Sequence, residues 1–150
     1  KGKISIMNND KIKQFMSNLS KGTLSGNIHW KRVTDFGDLK PESNKPIFNL
    51  LFQSEFRHLD LDASYYAIVS NGEIYLLNEV NESGRDGTIT SGYRMYLHSE
   101  GSNNILHLQC NSGSIYQLIN SIHVYLADQE KDLESFIDDF LSQNSSYSNQ

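Results

Sequence analysis

Five histidines, His29, His58, His98, His107 and His123, and one cysteine, Cys110, are the side chains best suited to metal binding or nucleophilic catalysis. Their spacing does not favour either. Zinc sites draw on close pairs of ligands, and neither His-x-His nor a three-residue His spacer occurs, so a site would have to be assembled wholly through the fold. His107 and Cys110 belong to one expected strand, but an odd and an even position point to opposite faces, which defeats a thiolate–imidazole pair. Glu73 and Glu79 share a strand face at a separation of roughly 20 Å, too far for two carboxylates acting on one bond. Gly84-Arg85-Asp86-Gly87 has glycines without the strand-to-helix setting of a phosphate cradle, and neither a Walker loop nor Gly-x-Ser-x-Gly occurs. The expectation is a non-catalytic chain with no catalytic residues, no metal and no cofactor.

The elements that position these residues can be read from periodicity. Ile12, Phe15, Met16 and Leu19 recur at helical spacing and predict a first helix over residues 10–21, stopped by Lys21-Gly22. Ile28 and Trp30 then alternate with polar neighbours, as in a half-buried strand. Residues 35–62 form an irregular insertion holding both prolines; within it, 47–56 fits a short helix opened by Pro46 or, nearly as well, a strand. Ser64–Val69 and Ile74–Leu77 flank Ser70-Asn71-Gly72-Glu73 and predict a hairpin, with Asn-Gly supplying a type I′ turn and Val69 opposite Ile74. Further strands are expected at 93–98 and 105–110. The connection from Asn81 to Gly92 reads as a long, mobile polar loop.

Ser114 and Gln117 match a capping box that opens a helix ending near Leu126. Another helix follows from about Glu130, with Leu133, Phe136, Ile137, Phe140 and Leu141 on one face and Glu134, Ser135, Asp138 and Asp139 on the other; the two could be one helix. Consecutive strands with short links pair as neighbours, and helices collect on one face. The fold class is therefore α+β, with an antiparallel meander of about five strands, an N-terminal helix and C-terminal helices. Residues 1–9 read as a flexible start, 10–142 as one domain and 143–150 as a disordered tail. The absence of a βαβ crossover argues against doubly wound nucleotide-binding folds.

In the expected hairpin both faces are apolar. The Tyr66, Ile68, Tyr75 and Leu77 face, extended by Tyr96, needs a second cover, from the insertion, a twin subunit or a partner. A patch of tyrosine and aliphatic residues with a polar rim suits protein contact, so these five residues with Glu134, Asp138 and Asp139 are the candidate interface. The alternative is a small-molecule pocket between sheet and insertion, lined by Trp30, Phe48, Phe52 and Tyr66.

Composition narrows the partners. The chain has 150 residues, 37% of them hydrophobic and 21% charged, enough for one globular domain without staples. Its net charge of −5 is concentrated in Asp128, Glu130, Asp132, Glu134, Asp138 and Asp139 against a single Lys131. That concentration disfavours nucleic acid, whose phosphates need clustered Lys and Arg, and favours a basic protein partner or a homodimer. A lone cysteine in an apolar strand, no long apolar run and no signal-like start point to a cytoplasmic protein without a membrane span.

Leu19-Ser20-Lys21-Gly22-Thr23 with Ile28-His29-Trp30, then Ser64-Tyr65-Tyr66-Ala67, Ile74-Tyr75-Leu76-Leu77 and a closing helix, resembles small uncharacterised α+β proteins of Gram-positive bacteria and their mobile elements. The likeness covers residues 10–126 by layout, leaves out the acidic terminal helix and implies no activity. Together these readings lead to the expectation of a protein-binding module, accessory, immunity-like or inhibitory, with an acidic C-terminal helix.

Overall fold

The computed structural model describes residues 9–35, 57–83, 85–102 and 104–144. The ambiguous stretch 47–56, with Phe48 and Phe52, lies outside them, as do residues 1–8 and 145–150 of the two expected terminal segments. The fold is α+β. Helix α1 (Asn9–Leu24) precedes strands β1 (Trp30–Arg32), β2 (Arg57–Leu59), β3 (Tyr65–Val69), β4 (Gly72–Glu82), β5 (Ile89–Ser99) and β6 (Leu106–Leu108), and helix α2 (Ser112–Gln143) follows. The six-stranded sheet runs β1-β3-β4-β5-β6, with β2 paired to β4 beyond the end of β3. All these pairings are antiparallel.

The hairpin closes more tightly than expected. Val69 faces Gly72 and Tyr66 faces Tyr75, so the loop is Ser70-Asn71 and each β3 residue meets a partner two positions earlier than the sequence suggested. A slip of two preserves the faces, because side chains alternate with period two. Among the described residues positive φ is confined to glycines, so Asn71 does not adopt the type I′ conformation. Gly72, at φ +154°, carries the constraint instead: a Cβ built on it would stand 2.0 Å from the carbonyl oxygen of His98 on β5.

The expected loop from Asn81 to Gly92 is largely strand. β4 continues to Glu82, β5 begins at Ile89 opposite it, and only 83–88 turn the chain. This projecting ribbon is exposed over its described residues, so no buried face imposes an alternation of apolar and polar residues that the sequence could reveal. At its tip Asp86 accepts from the Thr88 amide at 2.9 Å, and hydrogen bonding from Thr88 holds its carboxyl below the ordinary value.

The C-terminal region is one helix of 32 residues, about 48 Å long. Its N-cap is Asn111, whose side chain accepts from the Ser114 amide at 2.7 Å, three residues before the expected Ser114 box.

Two clusters fill the interior. On one side of the sheet Trp30, Ala67, Ile74, Leu76 and Met95 pack against Met16 and Leu19 of α1 and Ile115, Leu118, Ile119 and Ile122 of α2. Trp30 is fixed there by its indole, which donates to Thr23 Oγ1 at 2.8 Å, while Thr23 donates to the Leu19 carbonyl. On the other side Tyr66, Tyr75, Leu77 and Tyr96 are joined by Val33, Leu59, Leu61 and Ile105. Leu59 on β2 and Leu61 on the following 3-10 turn come from the expected insertion, so that segment contributes cover to the second face.

Candidate functional site

The second sheet face carries most of the polar chemistry. Glu73, Tyr75, Leu77 and Glu79 alternate along β4, and Arg94, Tyr96 and His98 alternate along β5 beside them. Glu73 sits opposite His98, whose Nδ1 lies 3.0 Å from its Oε1, and the Tyr75 hydroxyl donates to the same oxygen. His98 Nε2 meets the Ser102 carbonyl at 2.6 Å, so both ring nitrogens already face acceptor oxygens within the fold. Further along, the Tyr96 hydroxyl donates to Glu79, a carboxylate only 4% exposed, and Arg94 reaches its other oxygen at 3.3 Å. Gly92 lies opposite Glu79 and has no side chain, which leaves Arg94 and Tyr96 room to come in diagonally.

Burial and these contacts make the tyrosine phenols weaker acids. Burial, reinforced by the Glu73 hydrogen bond, pushes the Tyr75 phenol well above its ordinary value. Burial likewise raises Tyr93 to about 12 and the Cys110 thiol by a smaller amount. The network can hold two carboxylates in an apolar setting. As a reaction centre it offers little, because its donors and acceptors are directed at one another. His107 lies against the Tyr96 ring at 5.3 Å between centroids, and His58, opposite Val80, belongs to the other face.

The candidate interface divides in two. Tyr66, Tyr75, Leu77 and Tyr96 are buried within the single chain, and Tyr66 stacks on Tyr75; Ile68 alone of the five sheet residues is open, at 67% exposure. Those four tyrosine and leucine side chains are core, since burial in the fold leaves no face to offer a partner. Trp30 and Tyr66 do not line one pocket either. Trp30 pairs with Ala67, the neighbour of Tyr66, so the two rings belong to opposite faces.

Glu134, Asp138 and Asp139 have the opposite fate. Every residue from Ala127 to Gln143 is exposed, so α2 continues for about 25 Å beyond the body it packs on. The exposed part is strongly amphipathic. Leu133, Phe136, Ile137, Phe140 and Leu141 form a stripe, with Phe136 70% and Leu133 61% exposed. This stripe continues the face that α2 buries lower down: Ile119, Leu126, Leu133 and Phe140 follow one another in steps of seven, as do Ile115, Ile122, Gln129 and Phe136. Acids border it on both sides, Glu130 and Glu134 on one and Asp132 and Asp139 on the other, with Asp128 and Asp138 further round the helix.

The junction between body and arm is pinned by polar contacts. Tyr125 accepts from the Gln129 amide at 2.7 Å and is hydrogen-bonded to His29 Nδ1 at 2.9 Å, and Tyr65 is bonded to His123 Nε2 at 3.0 Å. The stripe residues were readable from the sequence. Their exposure was not, because an apolar helix face gives the same pattern whether or not the body extends beneath it.

Two open cavities share Gln109 and Cys110 in their lining, one of about 330 Å³ between the first turns of α1 and α2 and one of about 340 Å³ between β5, β6 and the first turn of α2. Neither includes Trp30 or Tyr66. Among the described residues no group of three or more His, Cys, Asp or Glu is placed to hold a metal, and no helix is long and apolar enough to cross a membrane. The fold and this surface define an α+β domain bearing a projecting acidic helix. No family model, no curated protein and no solved structure matches the chain, so the resemblance to Gram-positive proteins stands as an expectation.

Proposed function

We propose that this protein is a non-catalytic binding module that engages another protein through the free half of α2. The observation that carries this reading is the exposed stripe Leu133, Phe136, Ile137, Phe140 and Leu141 on a helix with none of the described body beneath it. An isolated exposed leucine is ordinary, but a contiguous apolar stripe rimmed by charge is the composition of a docking surface. The accessory or inhibitory role expected from the sequence fits such a module, since its effect would come from occupying a partner rather than transforming a substrate.

The test compares three baits in a lysate of the source cells: the full native chain, the full chain carrying F136D/F140D, and a chain ended after Glu130. Proteins retained by the first and lost from both others support the reading. Equal retention by all three, or by none, rejects it.

A further inference from the structure

We propose that the partner presents a basic amphipathic helix, apolar on one side and flanked by Lys or Arg, which lies along the arm from Leu133 to Leu141. This rests on the docking role proposed above and deepens it by assigning the chemistry of the occupant. The stripe spans about two and a half helical turns, a seam suited to another helix but too narrow for a globular surface. Its borders decide what that helix must carry. Glu130 and Glu134 lie along one side of the stripe and Asp132 and Asp139 along the other, while Asp128, Lys131 and Asp138 lie toward the opposite face of the helix.

A second copy of this chain is the first alternative. Whichever way a second arm is laid against the first, carboxylates meet carboxylates along both edges of the seam, and like charges across a helix pair destabilise it. An anionic membrane is disfavoured by the same acids, because interfacial helices carry Lys and Arg on the polar face. A basic helix places opposite charges at those edges and covers the apolar residues in between, so attraction and burial act together. The apolar stripe supplies the adhesion, and the acidic borders supply the selection.

The experiment uses the full chain and two labelled peptides of about 20 residues, both with leucine at the seam positions of a heptad, one flanked by Lys and the other by Glu. Fluorescence anisotropy should show the Lys-flanked peptide binding at least about tenfold more tightly at low salt, with the preference shrinking as salt rises to about 0.5 M. F136D/F140D should abolish binding even though it adds negative charge, which separates docking on the stripe from general attraction to an acidic protein. D132K/E134K/D139K should shift the preference toward the Glu-flanked peptide.

Equal binding of the two peptides overturns the assigned partner class while leaving a docking arm in place. Failure of the Lys-flanked peptide to bind also overturns it, and the three-bait comparison then decides separately whether the arm docks at all. Self-association of the native chain in sedimentation, lost in F136D/F140D, overturns it in favour of a second copy. Binding to phosphatidylcholine vesicles that requires Phe136 and Phe140 overturns it in favour of a lipid surface.

Discussion

The Tyr96 phenol donates to Glu79, placing a neutral donor against a carboxylate that is 4% exposed between two long strands. A buried charge is tolerated when hydrogen bonds replace its water, and losing one such donor costs much of that compensation. Y96F keeps the ring and removes the donor. It should lower stability by about 1–3 kcal/mol in urea unfolding, with the helical circular dichroism unchanged.

Thr23 and Trp30 make the corresponding bond on the helical side of the sheet, where Trp30 is 1% exposed. T23V preserves shape but leaves the indole N–H without this acceptor in the core. A loss of about 1–3 kcal/mol is expected, and Trp30 fluorescence should report a changed polar environment in the folded state.

Gly72 and Gly101 both have positive φ, but only Gly72 faces another strand closely, with His98 O at 2.0 Å from a built Cβ and nothing within 4 Å at Gly101. G101A should cost about 1 kcal/mol, the price of a left-handed alanine. G72A should cost clearly more and should weaken amide-exchange protection along β4 and β5 near the hairpin, because the two strands must separate to admit the methyl group.

Alkaline pH should unfold the protein through its buried phenols. Tyr93 is raised to about 12 and Tyr75 is raised further, against an unfolded value of about 10. Groups that hold their protons more tightly when folded contribute stability in full below about pH 10 and lose it as pH rises through the folded values. Tyrosinate absorbance should therefore appear in step with loss of circular dichroism. An early, separate ionisation of all eight tyrosines would contradict the burial.

Ending the chain after Glu130 should leave the body almost as stable as before, within about 1 kcal/mol in thermal unfolding, because residues 131–143 are exposed and Gln129 keeps its bond to Tyr125. A large loss would mean that the arm supports the body.

The order of elements was legible where burial imposes a period. Met16 and Leu19 on α1, and Ile115, Leu118 and Ile122 on α2, follow the helical spacing because one side of each helix meets the sheet. Tyr66 and Tyr75 were legible as apolar, and the need to cover them was sound; that the cover included Leu59 and Leu61 of the same chain was not, since no local pattern links residues so far apart in sequence. β2 escaped notice because three residues are too few for alternation to register. The Glu73–His98 and Glu79–Tyr96 contacts depend on the register of β4 with β5, which the sequence did not fix because the connection between them read as a loop. At the arm, residue types gave the amphipathic stripe, but only the coordinates show where the body ends beneath it.

The continuity of α2 across that end has an energetic consequence. A free segment the length of the arm would have to nucleate its own first turn, an unfavourable step that leaves short peptides largely unwound in water. Here the turns from Ser112 to Leu126 are held by the body, so each later residue adds to an existing helix. Whatever docks on Phe136 and Phe140 therefore meets a ridge already in shape, and little of the contact energy is diverted to winding it.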